Sequence, residues 1–113
     1  MTIFHITSAE EARDAAQSGT YTPAAFEADG FIHCSYARQL PGVANRFFAS
    51  RTGLVLLEIN RDRLTCRVVD ENLEGGTDLF PHIYGPLPMS AVVHVHELRR
   101  DAGGRLGLPA AVA

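Results

Sequence analysis

The chain has 113 residues, of which 46% are hydrophobic and 20% charged, a composition that is typical of a globular domain and excludes a disordered or fibrous protein. Its net charge of −3 at pH 7 argues against binding of nucleic acid by bulk phosphate attraction, because that mode needs a dense basic face. The chain contains no lysine, so arginine would have to hold any anion, although genome composition explains this absence equally well.

No segment approaches the roughly 18 apolar residues that span a bilayer, and residues 1–6 lack the pattern of a secretion signal. Cys34 and Cys66 are too few for a secreted disulfide scaffold, and we interpret both as reduced, small hydrophobic residues. We therefore expect a cytoplasmic protein without a membrane partner. The length predicts one α+β domain at residues 1–100, and the Gly- and Ala-rich composition of residues 101–113 predicts a weakly held tail.

The chain begins with a strand–helix pattern. Residues 2–7 alternate as a short strand that places His5 and Thr7 on one face. Ser8, with a glutamate three residues later, is a capping box, and the glycine at position 19 is a natural stop. These signals predict a helix over residues 9–18.

A second helical turn leads into a second strand. The threonine–proline pair at positions 22 and 23 is a helix-start signal, and Gly30 closes the turn. Residues 31–35 are apolar, aromatic and β-branched, which predicts a strand with His33 in its middle. Regular alternation puts His33 and Ser35 on one face and Cys34 on the other.

The middle of the chain predicts a helix, two strands and a loop. Residues 36–50 are helical in character, with a break expected at the proline–glycine pair 41–42. Residues 54–59 form a nearly continuous apolar run, which predicts a central strand buried on both faces. Residues 64–69 predict another strand, and residues 70–78 an acidic, mobile loop with two glycines.

Residues 80–88 contain three prolines and a glycine, which predicts a rigid, extended and irregular segment rather than a central strand. This segment carries His82 and Tyr84, whose side chains would be held with little conformational freedom, as a preorganised binding site requires. A rigid turn that merely joins strands is the alternative. Residues 91–98 predict the last clear strand.

Histidine suits proton transfer, ligand binding and metal binding, because its ordinary pKa lies close to physiological pH. His5 and His33 each interrupt an apolar strand, where a lone histidine is more often a satisfied core residue. If the two strands are neighbours, however, their polar faces meet, and the rigid segment could close the same cavity. The predicted ligand pocket is lined by His5, Thr7, His33, Ser35, His82 and Tyr84.

A metal site is not expected. The candidate ligands have no Cys-x-x-Cys or His-x-x-x-His spacing, and the predicted alternation turns Cys34 away from His33. The same alternation argues against Cys34 as a nucleophile. His94 and His96 share one strand face and could bind a metal, but an exposed face of the last strand explains them as well.

Four motifs carry a resemblance to a known family: FHIT at residues 4–7, GFIHCS at residues 30–35, the apolar run at 54–59 and FPHIYGPLP at residues 80–88. Together they resemble the bacterial domain-of-unknown-function 952 family, over a match from about Ile3 to Leu98. No activity is established for that family. Its order of elements is similar to the ADP-ribosyltransferase fold, including the RNA 2′-phosphotransferase branch.

This resemblance implies a bent or split, mainly antiparallel sheet flanked by short helices, with NAD or another nucleotide-like ligand bound in its cleft. His5 would match the histidine that hydrogen-bonds the NAD ribose, His33 would lie beside the nicotinamide, and His82 would lie near the third motif. The resemblance therefore implies catalytic roles for His5, His33 and His82. Many transferases of the fold carry a glutamate at the third motif; here Glu71 is the nearest carboxylate, and a solvated loop position is the alternative.

The resemblance therefore leaves two hypotheses. In the first, the protein is a transferase-like enzyme that acts on NAD or on an ADP-ribosyl or phosphorylated substrate. In the second, it is a non-catalytic binding or interaction domain that keeps a nucleotide-like pocket. A basic residue that converges on the pocket would favour the first.

Overall fold

A computed structural model of the chain describes residues 1–48, 50–73 and 75–109, and it contains short helices packed on small antiparallel sheets. The helices are α1 (Ala9–Ser18), α2 (Phe26–Asp29) and α3 (Leu40–Phe47). The strands are β1 (Thr2–Ser8), β2 (Thr20–Tyr21), β3 (Ile32–His33), β4 (Leu54–Asn60), β5 (Arg67–Glu71), β6 (Phe80–Tyr84), β7 (Leu87–Pro88), β8 (Val92–Glu97), β9 (Arg99–Arg100) and β10 (Leu106–Gly107). The prediction of a small α+β domain with mainly antiparallel pairing is confirmed. No helix in the described ranges is both long and apolar enough to span a bilayer.

The first sheet has the strand order β1-β4-β8, with antiparallel pairing throughout. Strand β4 lies in its centre, as its continuous apolar run predicts. Leu56 and Leu57 point to opposite faces of this strand, and both are fully buried. The sheet therefore has a hydrophobic layer on each side, and its shape is fixed by packing.

The second sheet has the order β3-β6-β5, so the expectation that residues 80–88 cannot include a central strand is wrong. The Pro81 carbonyl accepts a hydrogen bond from the Cys34 N–H at 3.0 Å, and the N and C=O of one strand residue point to the same side. The missing N–H of Pro81 therefore faces the short strand β3. The ladder between β6 and β5 does not need this donor, and the central strand tolerates the proline.

Several other boundaries differ from the sequence prediction. Strand β3 ends at His33, so that histidine is not in mid-strand. Pro41 lies in the first turn of α3, where its missing N–H costs nothing, and therefore it does not break this helix. Strand β5 begins later than expected and ends at Glu71, so the acidic loop begins after Glu71 and not at residue 70.

Helix α1 begins and ends where its sequence signals predict. The Ser8 hydroxyl accepts a hydrogen bond from the Glu11 N–H at 3.1 Å, which caps one of the free N–H groups of the first turn. Gly19 ends the helix in the left-handed region, with φ at +88°. The helix therefore leads directly from the end of β1 to β2.

The C-terminal region was predicted to be a weakly held tail at residues 101–113. Its residues 110–113 lie outside the described residues. Strand β10 pairs with β9, and Leu106 is buried in the hydrophobic cluster that also contains Leu40 of α3. How firmly this segment is held remains a prediction.

The two sheets are joined at one isolated bridge. Phe4 N–H donates to the Ser35 carbonyl at 2.8 Å, and Ser35 N–H donates to the Phe4 carbonyl at 2.8 Å. Beyond this bridge β1 continues toward Ser8, whereas the chain after Ser35 turns into a helical segment that begins at Ala37. The edge of β1 is thereby left open, and the space beside it is the site described next.

Candidate functional site

A cavity of about 510 Å³ opens beside the edge of β1, between the two sheets and α3. Clefts of about 300–1,000 Å³ are typical of small-molecule sites. Apolar lining is given by Phe4, Ile6, Pro23, Ala24, Ala25, Cys34, Val43, Phe47, Phe48, Leu73 and Phe80. Polar lining is given by His5, Thr7, Glu11, Tyr21, His33, Ser35, Arg51, Glu71, Asn72 and His82. The two kinds of residue are nearly equal in number, but most of the exposed surface of the cavity wall is apolar.

His5 is held by protein groups at both ring nitrogens. Its Nδ1 lies 2.6 Å from the His33 carbonyl oxygen, and its Nε2 lies 2.7 Å from the Tyr21 hydroxyl. Burial lowers the pKa of His5 to about 4, so the imidazole is neutral at physiological pH. A neutral imidazole has one N–H donor and one acceptor nitrogen.

The partners of His5 decide which nitrogen carries the proton. A carbonyl oxygen only accepts, so Nδ1–H donates to His33 and Nε2 accepts from the Tyr21 hydroxyl. The Tyr21 oxygen lies 2.9 Å from Thr7 Oγ1, and the threonine hydroxyl completes the chain by donating to it. Burial also raises the pKa of Tyr21. His5 therefore has no ring nitrogen left for a ligand, and its contacts tie β1 to β2 and β3.

His82 lies in the middle of β6 with 4% of its surface exposed. Its ring stacks on Phe31, with the ring centroids 4.2 Å apart, and its Nδ1 lies 3.0 Å from Glu71 Oε1. A carboxylate only accepts, so neutral His82 carries its proton on Nδ1. No described residue is hydrogen-bonded to Nε2. In contrast to His5, His82 keeps one ring nitrogen without a hydrogen-bond partner among the described residues, and the residue lines the cavity.

Glu71 does not lie on a solvated loop, which corrects the alternative weighed from the sequence. It is the last residue of β5 and lines the cavity. Its Oε1 accepts hydrogen bonds from the Tyr84 hydroxyl and from His82 Nδ1. These two bonds, the Tyr84 bond more than the His82 bond, hold the pKa of the Glu71 carboxyl below its usual range. Glu71 is therefore an ionised acceptor that orients His82.

Tyr84 affects the site only through Glu71. Its hydroxyl is hydrogen-bonded to Glu71, and the described cavity lining contains Glu71 but not Tyr84. The hydrogen bond to Glu71 raises the pKa of the Tyr84 hydroxyl. The Arg67 guanidinium lies over the Tyr84 ring, 5.7 Å from its centroid. Tyr84 was predicted from the sequence to line the pocket, but among the described residues it supports Glu71 and is not part of the lining.

His33 is the most open of the three predicted histidines, with 53% of its side chain exposed. Its Nε2 lies 3.1 Å from Asp29 Oδ2, and its ring meets the His82 ring edge-on with the centroids 5.2 Å apart. His5, His33 and His82 thus lie in the wall of one cavity. Thr7 and Ser35 line it too, and both are buried, but the Thr7 hydroxyl is already engaged with Tyr21.

Of the remaining sequence candidates, His94 and His96 lie outside the cavity lining. His96 Nε2 is 2.7 Å from Glu58 Oε1, and the His94 ring lies against His96 on the outer strand of the first sheet. Cys34 contributes to the apolar lining of the cavity, but it is only 3% exposed and packs in the hydrophobic core, and burial raises the pKa of its thiol. Within the described ranges, no three His, Cys, Asp or Glu side chains cluster as metal ligands.

Two residues of the site were missed in the sequence. Tyr21 is 2% exposed and connects His5 to Thr7, but it lies on a two-residue strand that no periodicity predicts. Arg51 brings a guanidinium to the cavity from the segment after α3, and its charge lies over the Phe48 ring at 5.4 Å. Among the described lining residues, Arg51 is the only Lys or Arg. No local pattern distinguishes it from the other scattered arginines.

Comparison with known proteins gives both a family and a fold. The model of the family described as "Protein of unknown function (DUF952)" matches residues 6–95. A crystal structure of protein CC0527 from Caulobacter crescentus is similar, with 35% identity, a TM-score of 0.85 and coverage of 96% of this chain and 95% of that one. The solution NMR structure of CC0527 gives 35% identity, a TM-score of 0.81 and coverage of 92% and 90%. None of the curated proteins matches this sequence.

Proposed function

This chain belongs to the DUF952 family of proteins of unknown function, and on that premise we propose that its cavity binds a small nucleotide-like ligand of the ADP-ribosyl class, such as NAD. The observation that carries the proposal is the meeting of His5, His33 and His82 in the wall of one cavity of about 510 Å³. Isolated core histidines would have no reason to share a concave, partly open surface.

The chemistry of the lining supports a ligand with both aromatic and charged parts. Phe47, Phe48 and Phe80 offer apolar rings on which a base can pack, and Arg51 offers a planar cation. Glu11 and Glu71 are the acidic groups of the described lining. A ligand with one compact anionic group beside Arg51, and neutral hydroxyl or amide groups elsewhere, suits this distribution of charge.

The architecture supports a likeness to ADP-ribosyltransferases. Two antiparallel sheets meet at the Phe4–Ser35 bridge and leave an open β1 edge, as in a split sheet with a ligand cleft. Within the proposal, the ligand lies along this edge, with His33 and His82 on one side and α3 on the other. The engaged ring of His5 makes that residue a support of the cleft and not the group that touches the ribose.

A non-catalytic binding domain is the second candidate, and one observation favours it. In the split-sheet transferases a glutamate at the third motif supports the transition state, whereas Glu71 here already accepts hydrogen bonds from both His82 and Tyr84. Incubation of the protein with NAD and chromatography of free nicotinamide distinguishes the two. Nicotinamide release above the rate without protein supports a transferase or hydrolase, and its absence despite NAD binding supports a binding domain.

Ligand binding itself is tested by thermal unfolding with NAD, ADP-ribose and adenosine. A ligand at about 100 times its dissociation constant stabilises the folded state by roughly 2.7 kcal/mol. Val43→Trp fills the cavity from α3 and is expected to abolish the stabilisation. Arg46→Trp, on the exposed face of the same helix, is the matched control and is expected to retain it. The absence of any stabilisation of the wild-type protein by this panel would contradict the proposed function.

A further inference from the structure

We propose that His82, oriented by Glu71, is the hydrogen-bond acceptor of the cavity through Nε2, and that the group recognised there is a hydroxyl or N–H donor of the ligand. This inference rests on the proposed function for the existence of a ligand. It adds which atom of the protein makes the contact and which kind of ligand group it selects.

The first step of the argument is the position of the proton. Glu71 Oε1 lies 3.0 Å from His82 Nδ1 and can only accept a hydrogen bond. In its neutral form the imidazole is thereby held with Nδ1 protonated and with a lone pair on Nε2. The hydrogen bond at Nδ1 thus determines that Nε2 is an acceptor and not a donor.

The second step is the immobility of the ring. His82 stacks on Phe31 with 22° between the ring planes, and the edge of the His33 ring closes the arrangement at 5.2 Å between centroids. With 4% of the residue exposed, the imidazole has no room to turn toward bulk solvent. An acceptor held in one orientation pays little conformational entropy when a ligand binds.

The third step is the positioning of Glu71. The Tyr84 hydroxyl donates to the same Oε1 that holds His82, so the carboxylate is restrained from two directions. Glu71 and Tyr84 are therefore positioning residues, and His82 Nε2 is the atom that touches the ligand. Because His82 is almost inaccessible from bulk solvent and lines the cavity, a hydrogen-bond partner of Nε2 would have to occupy the cavity.

The last step concerns the ligand. A lone pair on Nε2 accepts a hydrogen bond from a ribose hydroxyl or from an amide N–H, and it repels a carbonyl or phosphate oxygen. Arg51, elsewhere in the lining, is the group for an anion. His82 and Arg51 thus select a donor and an anion respectively, which is the pattern of a sugar phosphate or nucleotide and not of a fatty acid.

The decisive experiment observes the imidazole nitrogens directly. Long-range ¹H–¹⁵N correlation spectra of uniformly ¹⁵N-labelled protein, at about pH 8.5 and hence above the ordinary imidazole pKa of about 6.5, report which ring nitrogen of each histidine carries the proton. We expect His82 of the wild-type protein to be protonated at Nδ1 and bare at Nε2. Addition of NAD is then expected to shift the Nε2 resonance, because that atom gains a donor.

Matched variants separate positioning from mere packing. Glu71→Gln keeps an amide oxygen that accepts from Nδ1–H and should preserve the tautomer, whereas Glu71→Leu removes the acceptor and should lose it. Tyr84→Phe removes one of the two restraints on the Glu71 carboxylate and should weaken the preference for Nδ1–H, but less than Glu71→Leu does. We expect Glu71→Leu to bind NAD up to roughly tenfold more weakly than Glu71→Gln, the effect of one hydrogen bond.

The outcomes distinguish this inference from the proposed function. Protonation of wild-type His82 at Nε2 overturns the inference and leaves the proposed function standing. A ligand that shifts other cavity resonances but not His82 Nε2 does the same. If His82 is protonated at Nδ1 and no member of the nucleotide panel shifts any cavity resonance, the proposed function fails and the ligand contact fails with it. If Glu71→Leu does not fold, the wild-type spectrum and Glu71→Gln still decide the result.

Discussion

The two walls of the cavity use the same side chain in different ways. On the β1 wall, both nitrogens of His5 are bonded to protein groups, and the hydrogen-bonded chain continues through Tyr21 to Thr7. On the β6 wall, His82 is bonded at Nδ1 to Glu71, and no described residue is hydrogen-bonded to Nε2. A closed network stabilises the fold, whereas an open one can bind something else.

This difference teaches that burial alone does not identify a binding histidine. His82 is more buried than His33, and yet it is His82 whose ring is fixed by stacking on Phe31 while its Nε2 has no hydrogen-bond partner among the described residues. The informative quantity is the number of hydrogen-bonding atoms left over after the protein has satisfied its own. By this measure the β1 wall is structural and the β6 wall is the place for recognition.

The largest expected loss of stability comes from removing His5 from the hydrogen-bond network of the β1 wall. His5→Ala removes the imidazole and leaves the Tyr21 hydroxyl and the His33 carbonyl without their partner, so we expect the free energy of unfolding to fall by about 3 kcal/mol. Urea denaturation followed by far-UV circular dichroism measures it. His94→Ala, at an exposed histidine of β8, is the matched control and should change the stability by less than about 0.5 kcal/mol. A loss below about 1 kcal/mol at His5 would show that the β1 wall is not structural.

A nearly equal loss of folding stability is expected when the pH is lowered. The folded-state pKa of His5 is about 4, whereas an unfolded histidine has a pKa of about 6.5. Between these values the unfolded chain binds one proton more than the folded chain, so stability falls as pH decreases from 6.5 toward 4. We expect a loss of roughly 2 to 3 kcal/mol between pH 7 and pH 4.5 from this group.

The control for the pH experiment is His5→Asn, which cannot titrate. Denaturation at several pH values should give a shallower dependence for this variant than for the wild type. Asp70 and Glu71 also have lowered pKa values, so their stabilisation is lost only as pH falls below the usual carboxylate range, and it cancels in the comparison. Parallel curves for the two proteins would refute the assignment of the pH effect to His5.

One tyrosine on each wall allows the two walls to be compared through smaller losses of stability. Tyr21→Phe deletes the hydroxyl that joins His5 to Thr7 inside the closed wall, and we expect a loss of about 1 to 1.5 kcal/mol. Tyr84→Phe deletes a hydroxyl that bonds to the partly exposed Glu71, where water can replace it, so its loss should be smaller. Chemical denaturation of both variants tests the order, and an equal or larger loss at Tyr84 would reverse the roles of the two walls.

Sequence patterns predicted the parts of the fold in which local signals and packing agree. The capping box at Ser8 predicted α1, and the apolar run of β4 predicted a strand buried on both faces. The patterns failed at β6, where proline was expected to exclude a central position. A single proline whose missing donor faces a short neighbour is tolerated, and this depends on the register between strands, which the sequence does not reveal.

The candidate site was predictable only in part for the same reason. The alternation along β1 and the polar residues in two apolar stretches indicated that His5, His33 and His82 share a cavity. The roles of Tyr21 and Glu71 follow from their contacts with histidines. Tyr21 is 16 positions from His5 in the sequence and Glu71 is 11 positions from His82, and no periodicity encodes contacts over such separations. Nor could the sequence show that His5 and His82 differ, because the difference lies in their hydrogen-bond partners.

The most direct test of the two-wall account is the affinity for NAD of His82→Asn, measured by isothermal titration calorimetry. The asparagine amide can replace Nδ1–H toward Glu71 but offers nothing at the position of Nε2. It also loses less of the contact with Phe31 than His82→Ala would. The account predicts binding weakened by about 1 to 3 kcal/mol with little change in the urea midpoint. Undiminished NAD affinity would contradict it, and undiminished affinity together with a large fall in the midpoint would make His82 a structural residue like His5.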